Sequence, residues 1–479
     1  MAINLKNQKT PEKKSKEKRF AMPHIYVILF LFSAVAAILT YFIPAGTFEE
    51  VTGPEGRTTI DPESFQAVEQ NPTGLVDFMM AIPLGLVDAG EVVFFTFIIG
   101  GMFMVIRETG IIEIGVDRLT RRFENKSIAV IPVLMVLFAV LCSLIGTQEL
   151  SLVYVPVILP LLIALKYDSV TAAGIALIST TAGFTAGVLN PINTGLGQKI
   201  ADLPVYSGLG LRAALFVIIL STGVAWVVRY AKKVRKNPEE SLTYKEDKEK
   251  REMYASADNM QRRSMNMKQK YAVAATFTFF GILVYGVLAQ GWFMLEMSGL
   301  FIIMGIVVGL IAGLTTTEIC EGFNKGFRDV LVGAIIVGVA RAVAVIMEEA
   351  QIMDTVVYGL GTAVEGLPVM FSATGMFFIQ FLFNFLVPSG SGQALVTMPI
   401  MAPLSDIIGV TRQTAVLAFQ LGDGLGNIFY PTSGYFMATL ALAGVAWQKW
   451  VKFYFPLLLI WLAVAFAFLV IAQMLQWNG

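Results

Sequence analysis

The chain has 479 residues, of which 56% are hydrophobic and 15% are charged, and its formal net charge is zero. A soluble globular domain carries roughly 25% charged residues. Long continuous apolar segments exclude a soluble domain, and because they do not alternate with polar residues they also exclude a membrane β-barrel. The composition predicts an all-α polytopic membrane protein, since helices satisfy their own backbone hydrogen bonds in lipid.

The N-terminal segment predicts a cytoplasmic tail followed by a first membrane span. Residues 1–20 are rich in Lys and Arg, and the apolar run 21–44 is long enough to cross a bilayer. A secretory signal peptide would have a shorter apolar core and a small-residue cleavage site. We therefore expect this first helix to stay in the mature protein.

Nine membrane spans are predicted in chain order, and two of them are interrupted by small polar residues. Two further apolar stretches, 128–165 and 371–407, are too long for one span and too short for two. Polar residues break each of them in the middle, which is the pattern of a re-entrant hairpin. The predicted spans are 21–44, 91–107, 169–203 (interrupted), 209–230, 271–290, 298–314, 330–347, 411–447 (interrupted) and 453–475.

The distribution of basic residues supports this layout. Most of the 35 Lys and Arg fall in segments that the layout assigns to the cytoplasm, chiefly 1–19, 107–127 and 229–270. The exceptions are Arg57, Lys199, Arg212 and Arg412 near the outer side and Arg341 within a span. By the positive-inside rule we expect a cytoplasmic N-terminus and an external C-terminus. The expected location is the bacterial inner (cytoplasmic) membrane.

The two halves of the chain carry the same pattern. "GTQELSLVYVPVILPL" at 146–161 aligns with "SGSGQALVTMPIMAPL" at 389–404, and "NPINTG" at 190–195 corresponds to "YPTSG" at 430–434. One hairpin would open from the cytoplasm and the other from outside, so the repeats would be inverted, as in secondary transporters with a midplane site. The predicted divisions are repeat 1 at 21–230 with hairpin 128–165 and broken helix 169–203, a solvated mixed-charge cytoplasmic linker at 231–270, and repeat 2 at 271–479 with hairpin 371–407 and broken helix 411–447.

Four polar interruptions mark the candidate substrate-binding site. Irregular backbone at membrane depth is tolerated only where it is buried in protein or lines a wet cavity. Each break also exposes helix ends, whose amides attract anions and whose carbonyls suit cations. The predicted binding residues are Thr147, Gln148 and Glu149 in the first hairpin; Asn190, Asn193 and Thr194 in the first broken span; Ser389, Gly390, Ser391 and Gln393 in the second hairpin; and Asp423, Asn427, Thr432 and Ser433 in the second broken span.

The charged residues at the interruptions favour a cationic substrate. Glu149 and Asp423 lie there, and the layout places no Lys or Arg beside them. A carboxylate at membrane depth is costly unless it is paired or wetted, so these acids fit a cationic substrate, a proton or a metal cation. The alternative is that Glu149 and Asp423 are protonated or form structural ion pairs with Arg341. For Arg341 itself, a structural ion pair is favoured over contact with substrate.

The sequence carries no sign of an enzyme or of a bound cofactor. It has no P-loop for nucleotide phosphates and no His, Cys and carboxylate cluster with metal-ligand spacing. The single histidine, His24, lies at the start of the first span, far along the chain from the interruptions. We expect a small-molecule substrate and membrane lipid as partners, and no nucleic acid, metal or cofactor.

With these motifs the chain resembles the ion transporter superfamily, and within it the C4-dicarboxylate-carrier-like (YfcC-type) family. The resemblance rests on "GTQELSLVYVPVILPLL", "NPINTGLGQKIADLP", "PSGSGQALVTMPIMAPL" and "QLGDGLGNIFYPTSGYFMA", and it covers about residues 20–475. Family members are labelled as basic amino-acid antiporters of the arginine/ornithine type. The resemblance implies an elevator mechanism, in which both hairpins and both broken helices move against a scaffold, usually in a homodimer. The implied scaffold spans are 21–44, 209–230, 271–290, 298–314 and 453–475.

The hairpin tips differ from those of the sodium symporters in the superfamily, which carry Ser-Asn-Thr at both tips. Here Thr147-Gln148-Glu149 and Ser389-Gly390-Ser391 stand at those places. The difference favours exchange of a basic amino acid over coupling to sodium. The alternative is an H⁺- or Na⁺-coupled carrier of C4-dicarboxylate or another organic anion.

Overall fold

A computed structural model describes residues 24–52, 58–112, 114–115, 118, 127–255, 265–365 and 368–479. The predicted basic tail at 1–20 lies outside the described residues. So do most of the basic segment that follows the second predicted span and residues 256–264 of the predicted linker.

The described chain is built almost entirely of helices, most of them apolar. Eight helical stretches are long and apolar enough to cross a membrane within the described residues, which makes this a polytopic membrane protein. The first helix is shorter, with 15 residues. The helices are α1 Ile25–Leu39, α2 Leu75–Asp88, α3 Gly90–Glu108, α4 Ser127–Ile145, α5 Leu150–Ala164, α6 Ser169–Ala186, α7 Leu196–Ile200, α8 Leu209–Lys236, α9 Lys248–Ala255, α10 Met267–Gln290, α11 Met294–Ala312, α12 Thr316–Glu349, α13 Met353–Glu365, α14 Val369–Phe383, α15 Gly390–Ile407, α16 Arg412–Gly426, α17 Gly434–Ala443 and α18 Trp447–Met474.

Each predicted interruption lies at a junction between two helices, between them or in their terminal turns. The stretch 169–203 consists of α6, a π-helical turn at Pro191–Gly195, and α7, and the stretch 411–447 contains α16 and α17. The two predicted hairpins are the pairs α4–α5 and α14–α15. Helix α4 has 19 residues and is by itself long enough to span, so a return of its pair within the membrane stays a prediction.

Two small antiparallel ladders form the segment between α1 and α2. Strand β1 (Gly46–Thr47) pairs with β4 (Gln66–Ala67), and β2 (Glu50–Thr52) pairs with β3 (Thr58–Ile60). The Thr59 hydroxyl donates to the Leu395 carbonyl at 2.8 Å, which ties the segment to α15.

The centre of the molecule is formed by the broken helices. Every residue of α6 is buried, as is α16 from Gln413 to Gly426. Helix α6 packs between α4, α8 and α16, while α16 also packs against α14 and α15. A helix that is buried all round needs no amphipathic face, which explains why small and apolar residues cover all sides of α6.

Arg341 forms a structural ion pair, as predicted. Its guanidinium on α12 donates to Asp88 on α2, and a second nitrogen lies 3.0 Å from Glu348 Oε1. Neither Glu149 nor Asp423 is its partner, so the alternative that Arg341 neutralises an acid at the interruptions is wrong.

Part of the predicted linker is buried and not solvated. Asp247 has no exposed surface: it accepts hydrogen bonds from the Ser169 amide at 2.9 Å and the Thr243 hydroxyl at 2.7 Å. Lys250 lies 2.9 Å from Asp247 and donates to the Ala443 carbonyl at 2.9 Å. Composition alone suggested a solvated face because the sequence does not show that these polar groups satisfy one another.

The Asp247–Lys250 pair joins two helix ends of the buried core. Asp247 meets the N-terminus of α6 and Lys250 meets the C-terminus of α17, so each charge faces the helix pole of opposite sign. Burial raises the pKa of the Asp247 carboxyl, but the Lys250 charge and the hydrogen bonds from Ser169 and Thr243 outweigh it, and the pKa lies below its ordinary value of 3.8.

We expect Asp247→Ala to lower the free energy of unfolding by about 2 kcal/mol, because it leaves Lys250 and the Ser169 amide without their acceptor. Thermal unfolding of the purified protein measures this loss. Glu249→Ala removes an exposed acid from the same segment and should leave the midpoint unchanged.

The contribution of Asp247 to the free energy of unfolding should depend on pH. Because the pKa is lower in the folded state, the stabilisation is present above pH 3.8 and is lost as the pH falls through the folded pKa. Equal midpoints for wild type and Asp247→Ala at neutral pH would contradict this role.

Candidate functional site

Three of the four interrupted segments supply hydrogen bonds to the carboxylate of Asp423 on α16. Its Oδ2 accepts a hydrogen bond from the Asn193 side-chain amide at 2.8 Å, and its Oδ1 accepts from Asn384 at 2.9 Å and Asn427 at 3.0 Å. Asp423 is fully buried. A buried carboxylate needs such donors, and here they come from the first broken helix, the second hairpin and the second broken helix.

The local sequence positions these amides. The side-chain oxygen of Asn190 accepts a hydrogen bond from the backbone N–H of Asn193 at 2.9 Å. This bond caps the π-helical turn and directs the Asn193 side chain toward α16. At Gly390 a Cβ atom would lie 2.6 Å from Asn193 Oδ1 and 2.9 Å from Asp423 Oδ2. Only glycine lets the second hairpin tip approach this closely.

The first hairpin tip reaches the same region from the other repeat. Gly146 has φ +84°, and a Cβ there would lie 2.4 Å from Asn190 Oδ1. Gln148 donates to the Thr181 hydroxyl at 3.1 Å and accepts from the Tyr435 hydroxyl at 2.8 Å. The Thr147 hydroxyl donates to the Glu149 carboxylate, so this acid is held at the tip.

A cavity of about 280 Å³ lies between the two hairpin tips. Glu149 and Glu91 are the acidic residues of its lining, and among the described residues no Lys or Arg lines it. The N-terminus of α15, with Ser389 as its N-cap, forms part of the wall. The predicted residues that line the cavity are Thr147, Gln148, Glu149, Asn193, Ser389, Gly390, Ser391 and Asn427.

The other predicted residues lie behind the cavity wall. Asp423 holds Asn193 and Asn427, which do line the cavity, and Gln393 bonds to Gln380 at 2.7 Å. The hydroxyls of Thr432 and Ser433 are buried and have no hydrogen-bond partner among the described residues. The residues in this group are Asn190, Thr194, Gln393, Asp423, Thr432 and Ser433.

The sequence analysis did not identify two polar residues of the site, one carboxylate and one side-chain amide. Glu91 lies in the first turn of α3, in a regular span without a break, and it faces the cavity. Asn384 is the residue that directly follows α14 in the second hairpin, and its side-chain amide donates to Asp423. A lone acid or amide in an otherwise apolar run was the available signal for both.

The sequence-based statement that no basic residue lies beside the interruptions needs correction. Arg212, assigned to the outer flank, is 1% exposed and lies against the end of α6, where a Cβ on Gly187 would be 3.3 Å from its Nη1. Its burial results from tertiary packing that a positional count of charges cannot show. Arg212 does not line the cavity, so the acidic character of the cavity itself is unchanged.

The arrangement of polar groups around the cavity suits binding of a small ion or zwitterion. Across the described part of the chain, no three His, Cys, Asp or Glu side chains come together in a group that could hold a metal ion. The cavity offers carboxylates on one side and a helix N-terminus with hydroxyl and amide groups on another.

Sequence comparisons extend over nearly the whole chain. The chain is 32% identical over 474 residues to "Putative basic amino acid antiporter YfcC" of Escherichia coli (strain K12), covering 91% of this chain and 93% of that protein. It is 27% identical over 488 residues to an uncharacterized protein of Haemophilus influenzae (strain ATCC 51907 / DSM 11121 / KW20 / Rd), covering 92% and 95%.

The similarity to solved structures is at a lower level. The YdaH transporter of Alcanivorax borkumensis aligns with 95% of this chain and 99% of its own, at 15% identity and a TM-score of 0.42. Neither fold nor function follows from a similarity at this level.

A family model covers the chain from the first helix to the last. The family described as "DcuC: C4-dicarboxylate anaerobic carrier" matches residues 22–474. Together with the eight apolar helices, this identifies an integral membrane transporter. The chain belongs to the DcuC family of C4-dicarboxylate anaerobic carriers.

Proposed function

We propose that the protein is a secondary transporter that exchanges basic amino acids of the arginine/ornithine type. One observation carries the proposal: the cavity between the hairpin tips is lined by two carboxylates and by no basic side chain among the described residues. A dianion would meet uncompensated negative charge there, whereas a substrate with a cationic side chain would neutralise it. The name of the Escherichia coli relative agrees with this substrate class.

The cavity has a place for the α-carboxylate and for the cationic side chain of such a substrate. The α-carboxylate would meet the N-terminus of α15 at Ser389, Gly390 and Ser391, where helix amides attract anions. The cationic side chain would extend toward Glu149 at the first tip and Glu91 on α3. Asn193 and Asn427, held by Asp423, would position the substrate between these ends.

Exchange rather than net transport follows from the charge of the site. An empty site would carry uncompensated carboxylates through the membrane, which is costly. A bound cationic side chain offsets that charge, so the loaded carrier crosses more easily than the empty one. Exchange of one basic amino acid for another also needs no coupling ion.

The proposed movement is an elevator motion within a homodimer in the inner membrane, with the N-terminus inside and the C-terminus outside. The inverted repeats 21–230 and 271–479 would each supply one hairpin and one broken helix to the moving domain. The linker 231–270 would cross the cytoplasmic side between them. The hydrogen bonds that join the first broken helix, the second hairpin and the second broken helix at Asp423 support their movement as one unit.

The second candidate function is H⁺- or Na⁺-coupled transport of C4-dicarboxylate or another organic anion. The description of the family favours it. In that case the substrate would bind the hydroxyl and amide side of the cavity, and Glu149 would be the acid that couples transport to a cation.

We expect counterflow in liposomes to show exchange. Unlabelled arginine or ornithine inside the vesicles should accelerate uptake of labelled arginine several-fold over empty vesicles, because the loaded carrier returns faster than the empty one. Vesicles loaded with succinate serve as the control. Absence of acceleration by internal arginine and ornithine would reject exchange of basic amino acids, and accelerated uptake of labelled succinate into succinate-loaded vesicles would favour the dicarboxylate carrier.

We also expect Glu149→Gln to weaken arginine binding by about tenfold, which corresponds to about 1.4 kcal/mol. Citrulline, a neutral isostere of arginine, should lose little affinity, because only the charge contact is removed. Competition against labelled arginine measures both ligands. Glu91→Gln should show the same pattern, and Glu321→Gln, which removes an exposed acid from α12, is the matched control.

The Glu149→Gln variant separates the two candidate functions. In the exchanger, the preference for arginine over citrulline falls. In the coupled carrier, the variant would keep its affinity for succinate and lose the dependence of transport on the H⁺ or Na⁺ gradient.

A further inference from the structure

The guanidinium of Arg212 is buried without a counter-ion. The residue is 1% exposed, and its Nε and Nη1 atoms are buried with no hydrogen-bond partner among the described residues. The third nitrogen, Nη2, lies 3.5 Å from Gln413 Oε1, a long contact for a hydrogen bond. No described carboxylate forms an ion pair with this side chain. From this arrangement we infer that Arg212 holds a compact monovalent anion, such as chloride, at the outer end of the first broken helix.

An arginine cannot avoid this burial by losing its proton. The guanidinium stays charged in proteins, so its burial is unfavourable unless an opposite charge or hydrogen-bond acceptors compensate it. The ring of Trp477 lies 5.6 Å from the guanidinium carbon, and the carbonyl end of α6 lies beside Nη1 at Gly187. Both contacts compensate only part of the charge, because neither accepts a hydrogen bond from Nε or Nη1.

The position of Arg212 in its helix adds positive potential. It lies in the first turn of α8, a helix of 28 residues, where unpaired backbone amides already attract anions. Gln413 contacts both the guanidinium and the start of this helix. Its oxygen lies beside Arg212 Nη2, and its side-chain nitrogen donates to the hydroxyl of Ser207, just before α8, at 2.6 Å. A cation at a helix N-terminus is electrostatically unfavourable. An anion between the guanidinium and the N-terminus of α8 would be attracted by both and would offset this repulsion.

The surroundings limit the size of the anion. Gly187 lies close to Nη1, and the nearby Thr194 hydroxyl donates to Gln420 at 3.1 Å. This close packing favours an ion of few atoms over a dicarboxylate. Arg212 is not part of the lining of the cavity between the hairpin tips, so this anion site is separate from the proposed substrate site.

The test is thermal unfolding of the purified full-length protein in sodium gluconate, to which sodium chloride or sodium acetate is added at constant ionic strength. Wild type should gain several degrees in midpoint as chloride replaces gluconate, and the gain should saturate with concentration. An equal gain in acetate would extend the site to small carboxylates. Arg212→Gln should lose the chloride response and should be at least as stable as wild type in gluconate, because the buried charge is gone.

Arg412→Gln is the matched control. Arg412 lies on the same side of the protein but is ion-paired with Asp202 and Asp406, so its loss should leave the chloride response intact. If Arg212→Gln does not fold, binding of ³⁶Cl⁻ to wild type and to Arg212→Lys decides the question, with weaker binding expected for Lys. A wild-type midpoint that is equal in all three salts, or absence of ³⁶Cl⁻ binding, would overturn the anion site.

Discussion

The hydrogen bonds to the Asp423 carboxylate are the constraint on which the rest of this structure depends. A fully buried carboxylate has to be surrounded by donors, and here Asn193, Asn384 and Asn427 supply them from three different interruptions of the helices. Without that acceptor the same amides would face one another, and the second hairpin tip would lose the partner that Gly390 packs against. Asp423 does not line the cavity, but it holds in place the side chains of Asn193 and Asn427, which do.

The two hairpin tips give the cavity its electrical polarity. At the first tip Glu149 supplies a negative charge, and at the second tip the corresponding place is Gly392, beside the amides that begin α15. Glu91 adds a second carboxylate from α3, which is not part of either hairpin. A cavity that is acidic at one end and rich in amides at the other fits a zwitterion with a cationic side chain better than a dianion.

The positions of the helix breaks could be predicted from the sequence, because only a few residue types interrupt a helix inside an apolar run. The clusters at 146–149, 190–195, 389–393 and 427–433 all lie at junctions between α-helices, either outside them or in a terminal turn. Three features could not be predicted, since each depends on packing between distant segments. Glu91 is an ordinary acid in an unbroken span, Arg212 seemed to be a flanking charge, and Asp247 seemed to belong to a solvated linker, although the last two are fully enclosed.

The central claim is that the cavity between the two hairpin tips binds a cationic zwitterion. Calorimetric titration of the purified wild-type protein with arginine, and separately with succinate at the same ionic strength, tests it most directly. The account predicts saturable binding of arginine and no detectable binding of succinate. Saturable binding of succinate with no heat from arginine would contradict it.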